Sequence, residues 1–138
     1  MRLFFYGTLL DADVRKLVLG PDAGAVILTP ARLDGWQRRK ARGKSYPVIQ
    51  PAPGQSVEGA VTGALAPRVV AKLTAYEGPG YALVPCRAAL ADHTDVAAHV
   101  YEPNERLPAD EAGWDLAAWQ ARDKAPFLAR LRQGAQHA

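Results

Sequence analysis

Cysteine and histidine are scarce in this chain of 138 residues, which contains one cysteine and three histidines. Cys86 has no second cysteine to pair with, so an internal disulfide is excluded. His93, His99 and His137 show no metal-ligand spacing, and a structural zinc site is therefore not expected. The P-loop and G-x-G-x-x-G motifs are also missing, so we expect neither a metal nor another cofactor.

Long hydrophobic runs are missing as well. Hydrophobic residues make up 49% of the chain, yet no uninterrupted run approaches the roughly 18–20 residues that a membrane-spanning helix needs. The apolar stretch near the start is short, and Asp11 and Asp13 follow it without a small-residue cleavage site, so no secretory signal is expected. Together with the single cysteine, this pattern predicts a cytoplasmic protein without a membrane partner.

Charge content and length are ordinary for a folded protein. Charged residues make up 22% of the chain, close to the roughly 25% of globular domains. A chain of this length buries about two thirds of its unfolded surface in one core. Because no repeat, low-complexity segment or linker divides the sequence, residues 1–138 are expected to form a single domain.

Positive charge is concentrated in one short segment, although the net charge is only +3. This basic run consists of Arg38, Arg39, Lys40, Arg42 and Lys44. Such a run could hold phosphates, but it is more typical of a solvated hairpin or loop. Because no nucleic-acid-binding motif accompanies it, no nucleic-acid partner is expected.

Apolar patterning predicts more strands than helices. Strands are predicted over residues 3–6, 26–33, 45–50, 57–65, 81–90 and 96–101, and the turn signal Asp34-Gly35 is expected to end the second. Helices are predicted from Asp11 or Asp13 to Gly20, from Pro67 to the Gly78-Pro79-Gly80 stop, and around residues 114–119, with a last turn from Pro126. Most strands follow one another without long crossovers, which indicates a mixed α+β domain with one curved or closed sheet.

Two glycines lie on one face of the strand predicted over residues 57–65. They are Gly59 and Gly63, which alternate there with valine and leucine. Glycine inside a strand typically marks a close approach of another backbone or of a ligand. We therefore expect such an approach along this face.

Three features differ from those of a purely structural domain, and the first is Tyr6-Gly7-Thr8-Leu9. A buried strand ends here at a glycine, and a helix start follows. Consecutive backbone N–H groups at such a junction can form an anion-binding concavity, which the helix dipole strengthens. A carboxylate and a phosphate fit it equally well. The structural alternative is a tight turn in which Gly7 only supplies a positive φ.

The second feature is Glu77 at the carboxyl end of the predicted helix that begins at Pro67. A negative charge at this position opposes the helix dipole. Glycine, proline and tyrosine flank it, and the desolvation that we expect there raises the carboxyl pKa further. Such a group could exchange protons near neutral pH, as a general acid–base does. An exposed glutamate without a role is the alternative.

The third feature is a set of five tyrosines: Tyr6, Tyr46, Tyr76, Tyr81 and Tyr101. Tyrosines at strand ends can line a pocket that has an apolar wall and hydroxyl groups. Filling a small core is their more common use. Cys86, inside a predicted strand, is expected to be a buried small hydrophobe rather than a nucleophile.

Several short motifs follow one another in a distinctive order. They are Phe5-Tyr6-Gly7-Thr8-Leu9, Ala31-Arg32-Leu33-Asp34-Gly35-Trp36, Tyr46-Pro47-Val48-Ile49, Val57-Glu58-Gly59, Leu73-Thr74-Ala75-Tyr76-Glu77-Gly78 with Tyr81, and Val100-Tyr101. In this order and spacing, roughly from Met1 to Tyr101, the chain resembles the γ-glutamylcyclotransferase-like family. That family includes γ-glutamylamine cyclotransferases and the plant avirulence-induced-gene proteins.

The resemblance implies a small mixed β-barrel flanked by helices, with a cavity at one end. The catalytic residue that it implies is Glu77. The substrate-binding residues that it implies are Tyr6, Gly7, Thr8, Leu9, Tyr46, Tyr81 and Tyr101. Leu83 departs from the pattern, because many relatives carry a basic residue there.

The implied reaction is attack of a substrate α-amine on its own γ-glutamyl carbonyl, which releases 5-oxoproline and a free amine or amino acid. Glu77 would take a proton from the attacking amine and return it to the leaving amine. Nucleophile and electrophile share one molecule, so the reaction requires no enzyme nucleophile, metal or cofactor. A non-catalytic member that binds a small anion in the same cavity is the alternative.

Overall fold

A computed structural model describes residues 1–134 and shows one five-stranded sheet with four α-helices. The strands are β1 (Phe4–Phe5), β2 (Leu28–Lys40), β3 (Pro47–Thr62), β4 (Tyr81–Leu90) and β5 (Asp95–Pro103). The helices are α1 (Ala12–Leu19), α2 (Pro67–Glu77), α3 (Leu116–Arg122) and α4 (Lys124–Arg132). The predicted mixed α+β class is confirmed. His137 lies outside the described residues.

The sheet curves until its two edges meet. Its order is β1-β3-β2-β4-β5, and every ladder in it is antiparallel. At the edges, Leu3 and His99 form a parallel bridge, and the His99 N–H donates to the Arg2 carbonyl at 2.9 Å. The sheet therefore approaches a barrel but is not closed by a continuous ladder.

Alternating side chains of the sheet contribute to two cores. Phe5 packs with helix residues such as Leu73 and Trp119 on the outer face. Phe4 packs with Val57 and Val100 inside the curve. Because neighbouring residues of a strand point to opposite faces, β1 is buried on both sides, as its continuous apolar run predicts.

The prediction of a turn at Asp34-Gly35 that ends the second strand is wrong. Strand β2 continues through these residues to Lys40, and the register with β3 shifts between Asp34 and Trp36. Gly35 has a φ of +86°, which suits the extra residue of a β-bulge as well as it suits a hairpin turn. The two shorter strands predicted over residues 45–50 and 57–65 are consequently one strand, β3, which ends at Thr62.

The glycines of β3 differ in their surroundings. A Cβ placed on Gly59 would collide with the backbone carbonyl oxygen of Phe5 and lie 2.9 Å from the Phe4 ring. A Cβ on Gly63 would have nothing within 4 Å. The expected close approach of a backbone is therefore confirmed at Gly59, where the neighbour is β1, and no described residue makes such an approach at Gly63.

Asp11 connects the first helix to the last two. Its carboxylate caps α1 by accepting from the Asp13 and Val14 N–H groups, and it also accepts from the Gln120 amide at 2.9 Å and from the Lys124 ammonium at 2.9 Å. Burial raises the pKa of Asp11, but the hydrogen bonds from Lys124, Gln120 and Val14 outweigh it and leave the pKa below its ordinary value.

We expect Asp11→Ala to lower the free energy of unfolding by about 2 kcal/mol, because it removes a helix cap and leaves Lys124 without its buried partner. The matched control is Asp13→Ala, which removes an exposed carboxylate that contacts the same lysine. That variant should cost less than about 0.5 kcal/mol. Urea unfolding monitored by circular dichroism checks both, and equal costs would contradict the assignment.

In the part of the chain that the structure describes, no helix is both long and apolar enough to cross a membrane.

Candidate active site

The segment Tyr6-Gly7-Thr8-Leu9 forms a bend at the end of β1. Thr8–Leu10 is a single 3-10 turn in which the Leu10 N–H donates to the Gly7 carbonyl at 3.0 Å. Gly7 has a φ of −133°, so it does not supply the positive φ of the structural alternative. A Cβ at Gly7 would lie only 3.0 Å from the Pro47 side chain, and the bend therefore packs tightly against the start of β3.

Glu77 is the last residue of α2, where the sequence placed it. Gly78 ends the helix with a φ of +87°, and the Glu77 side chain is turned into the protein with 9% of its surface exposed. Burial raises its pKa to about 8. The predicted rise in pKa is confirmed, and desolvation is its cause.

Tyrosine and threonine hydroxyls join the three segments around Glu77. The Tyr6 hydroxyl donates to the Tyr101 carbonyl at 2.8 Å, which connects the end of β1 to β5. The hydroxyls of Thr8 and Tyr76 share a hydrogen bond of 2.7 Å, and those of Thr74 and Tyr101 share one of 2.8 Å. These bonds hold the Tyr6–Leu9 bend, the last turn of α2 and the end of β5 in one arrangement.

The phenols near Glu77 remain protonated over the physiological range. Burial raises the pKa of Tyr6 and Tyr76 well above the ordinary value, and the negative charge of Glu77 raises them further. Burial also raises the pKa of Tyr101 to about 12, although its bond to Thr74 opposes the rise. The carboxyl of Glu77 thus lies among neutral hydroxyl groups in a poorly solvated environment.

A cavity opens where these segments meet. It holds about 20 Å³, within about 340 Å³ of empty space that includes its open mouth. Its lining residues are Phe4, Phe5, Tyr6, Gly7, Thr8, Leu9, Pro47, Glu77 and Tyr101. The structure therefore brings the whole predicted opening motif, the predicted acid–base residue and one of the predicted tyrosine walls to one place.

The other two predicted wall residues do not line this cavity. Tyr81 is buried in the core cluster that also contains Phe5, Leu9 and Tyr101 of the cavity lining, and burial, followed by the charge of Glu77, raises the pKa of its phenol. Tyr46 packs with Ala41 and Val48 instead. Its neighbour Pro47 provides the wall that the sequence assigned to the tyrosine.

Arg38 is a residue of the site region that the sequence did not reveal. Its guanidinium donates to the carbonyls of Tyr6 and Glu58, both at 2.9 Å, and lies 5.4 Å from the Trp114 ring centre. Burial lowers its pKa from the ordinary value. The basic run is thus not a wholly solvated segment, because its first member holds the carbonyl of Tyr6 in place.

Among residues 1–134, no group of three or more histidine, cysteine, aspartate or glutamate side chains is arranged to hold a metal ion.

Comparison with known proteins gives a consistent result. An Arabidopsis thaliana protein called AIG2-like protein A is 27% identical over 133 residues, which is 95% of this chain and 79% of that protein. A solution structure of a protein from Arabidopsis thaliana is 26% identical and superposes with a TM-score of 0.68, covering 96% of this chain and 88% of the other.

A second structure, described as a gamma-glutamyl cyclotransferase, shares the fold. Its TM-score is 0.64 at 19% identity, with 80% of this chain and 71% of that chain covered. The model of the family described as gamma-glutamyl cyclotransferase, AIG2-like, matches residues 3–121. This match spans every strand and the site described above. The chain belongs to the gamma-glutamyl cyclotransferase, AIG2-like family.

Proposed function

We propose that the protein is a γ-glutamyl cyclotransferase in which Glu77 moves the proton. The observation that carries this proposal is a buried carboxyl with a pKa of about 8, positioned against the Tyr6–Leu9 bend. A carboxyl with an ordinary pKa would be a weak base at neutral pH, whereas one that ionises near pH 8 can both accept and donate a proton there. Membership of the family supports the same reaction class.

The reaction requires one bond to form and one to break. The α-amine nitrogen of the substrate attacks its own γ-carbonyl carbon and closes a five-membered lactam. The bond from that carbon to the leaving nitrogen then breaks, which yields 5-oxoproline and a free amine. Glu77, as a carboxylate, takes the proton that the attacking nitrogen loses, and the protonated Glu77 gives it to the leaving nitrogen. Atoms and protons balance without a co-reactant.

The bend at the end of β1 is proposed to hold an anionic part of the substrate. The first N–H groups of a helical turn have no partner within that turn, and in the 3-10 turn they belong to Thr8 and Leu9 beside the cavity. They would hold either the substrate α-carboxylate or the oxyanion that develops at the γ-carbonyl. Tyr6, fixed by Tyr101 and Arg38, keeps this bend in place.

Positioning supplies the remaining part of the rate enhancement. A free γ-glutamyl chain rotates about several single bonds, and only a small fraction of its conformers bring the amine to the carbonyl. A site that binds the folded conformer offsets the entropy lost on folding the chain with binding free energy. Less entropy is then lost in the reaction itself, and cyclisation is accelerated. Tyr101 and Pro47 form walls that can select the folded chain, and we propose that Tyr81 and Tyr46 support them from behind.

The leaving group is proposed to be an amine or an amino acid rather than the cysteinylglycine portion of glutathione. The chain lacks the longer insertions expected of a glutathione-specific relative, and this supports the preference. Leu83, where many relatives have a basic residue, packs against the core that faces the helices. A cytoplasmic location belongs to the same proposal, since the single cysteine suits a reducing compartment.

Release of 5-oxoproline from a panel of γ-glutamyl compounds tests the proposal. The panel contains γ-glutamyl amines, γ-glutamyl dipeptides and glutathione, each beside its N-acetylated form, in which the α-amine cannot attack. We expect 5-oxoproline from the free amines or dipeptides and nothing from the acetylated forms. Free glutamate as the product would contradict cyclisation. A folded protein that yields no product from any member would favour the non-catalytic anion-binding alternative.

A further inference from the structure

Arg38 bridges β1 and β3 at the point where their ladder ends. The last paired residues of that ladder are Phe5 and Ala60. Directly beyond them, one guanidinium nitrogen of Arg38, Nη1, donates to the carbonyls of Tyr6 and Glu58, each at 2.9 Å. Two carbonyl groups cannot hydrogen-bond each other, because neither carries a proton to donate. The Arg38 side chain therefore takes the place of the next backbone pair and joins the two segments there.

The guanidinium of Arg38 is itself held in position by a buried ring. It lies 5.4 Å from the centre of the Trp114 ring, within the range of a cation–π interaction. The Trp114 indole N–H donates to the Ser45 carbonyl at 2.8 Å, which fixes the ring in turn. Trp114 is buried and Arg38 is half-buried, so few other positions are open to the guanidinium.

The bond to the Tyr6 carbonyl fixes the peptide unit that joins Tyr6 to Gly7. This peptide is trans, so its carbonyl and its N–H point in opposite directions. Glycine restricts the rotation of such a unit less than any other residue does, and a bond from outside is needed to hold it. Gly7 lines the cavity, whereas Arg38 lies outside that lining. A carbonyl directed at Arg38 therefore turns the Gly7 N–H away from the guanidinium and toward the cavity.

We propose that Arg38 is a positioning residue for the reaction, which holds the Tyr6–Gly7 peptide so that the Gly7 N–H donates to the oxygen of the substrate γ-carbonyl. This inference rests on the proposed cyclotransferase function. Negative charge develops on that oxygen as the amine attacks, and a fixed N–H donor stabilises the charged oxygen more than the neutral carbonyl. Arg38 itself touches no substrate. Its effect is therefore expected in kcat rather than in KM.

Arg38→Met and Arg39→Met form a matched pair that tests this role. Both remove one cation of the basic run, but the Arg39 guanidinium donates to the Glu111 carbonyl and the Gln37 side chain instead of the bend. We expect Arg38→Met to lower kcat for 5-oxoproline release roughly 10- to 100-fold and to change KM less than about threefold. Arg39→Met should stay within about twofold of the wild type in both. The rate midpoint near pH 8 should not move in either variant, since burial of Glu77 sets it.

The NMR signals of two glycines report the contact itself. The nitrogen chemical shift of an amide responds to a hydrogen bond that the preceding carbonyl accepts. Gly7 follows Tyr6, and Gly59 follows Glu58, so both glycine signals should move when the Arg38 guanidinium is removed. Both should stay in place in the control variant. Unmoved glycine signals in Arg38→Met would overturn the proposal, because the peptide would then be held without the guanidinium.

Arg38→Lys keeps the test decisive if Arg38→Met does not fold. Lysine retains the charge but lacks the planar guanidinium that spans two carbonyls and stacks on Trp114. We expect kcat to fall roughly three- to tenfold and both glycine signals to move. A kcat equal to that of the wild type with moved glycine signals would overturn the positioning role.

The outcomes separate this proposal from the proposed function. If the wild type releases 5-oxoproline and Arg38→Met keeps its kcat, or loses activity through KM alone, the positioning role is overturned and the cyclotransferase function stands. If the wild type releases no 5-oxoproline from any γ-glutamyl compound, the proposed function fails and the role of Arg38 in the reaction is overturned with it. A lowered kcat at an unchanged KM, with both glycine signals moved, is the result that we expect.

Discussion

Replacing Glu77 by glutamine should abolish 5-oxoproline release and leave the protein folded. Glutamine matches glutamate in size but cannot take a proton from the attacking amine or return one to the leaving amine. General acid–base catalysis typically contributes about 10²–10⁴-fold, and here one group serves both steps. We therefore expect kcat/KM to fall by at least about 10³-fold. A coupled assay for the released amine, confirmed by chromatography of 5-oxoproline, measures the loss.

The same substitution should make the protein more stable. The pKa of Glu77 rises from 4.5 to about 8 on folding, so above pH 4.5 the unfolded chain ionises this group more readily than the folded protein does. The free energy of unfolding of the wild type therefore falls as the pH rises from 4.5 to 8, by about 1.4 kcal/mol for each pH unit. Glutamine has no such dependence, and the melting temperature of Glu77→Gln should exceed that of the wild type by a margin that grows over this range.

One control variant makes this pair of results specific. Glu111→Gln removes an exposed glutamate outside the cavity and should change neither rate nor melting temperature. Activity close to that of the wild type in Glu77→Gln would exclude the residue as the proton carrier. A variant that is inactive and also less stable at pH 8 would point instead to damage of the fold.

The largest effect on stability is expected from Gly59→Ala. The added Cβ would collide with the Phe5 carbonyl oxygen. Because that oxygen belongs to the backbone of a paired strand, it cannot move aside as the end of a flexible side chain can. The ladder between β1 and β3, where Phe5 pairs with Ala60, must then separate. We expect the free energy of unfolding to fall by about 3 kcal/mol or more.

Gly63→Ala is the control for that prediction, since the position lies four residues further along and has open space around it. It should change the free energy of unfolding by less than about 0.5 kcal/mol. Urea denaturation of both variants beside the wild type measures the difference. Similar values for the two would show that β1 does not lie against Gly59 as described.

Much of the site could be predicted because its signals are local. The position of Glu77 follows from the helix that begins at Pro67 and the glycine that ends it, both of which depend on neighbouring residues in the chain. The bend after Tyr6 follows in the same way from a buried strand that ends at a glycine. The contacts that assemble these pieces are not local: Thr8 and Tyr76 are 68 residues apart.

The incorrect prediction of a turn at Asp34-Gly35 has a physical cause. Gly35 has the positive φ that a hairpin turn needs, but a β-bulge needs it too. Choosing between them requires the partner strand, which the residues around position 35 do not specify. Beyond the bulge β2 continues and Arg38 pairs with Ile49 of β3, and its guanidinium donates to the Tyr6 carbonyl although its neighbours in the sequence suggested a solvated run.

The five tyrosines have different roles although their surroundings in the sequence are similar. All five are buried, so neither their number nor their position in strands distinguishes a cavity wall from a core residue. Tyr101 lines the cavity, whereas Tyr46 packs against Ala41 behind Pro47. Pro47, the first residue of β3, is the one that lies against Gly7 of the bend.

The pH dependence of 5-oxoproline formation shows whether Glu77 moves the proton. The active form of Glu77 is the carboxylate, whose pKa in the folded protein is about 8. We therefore predict that kcat/KM rises about tenfold per pH unit below that value and levels off above it. The α-amine of each substrate is titrated separately by NMR, and its own ionisation should move when the substrate is changed, whereas the ionisation near pH 8 should stay in place. A rate that is constant from about pH 6 to about pH 9, or a profile in which every midpoint follows the substrate amine, would contradict a buried Glu77 as the group that moves the proton.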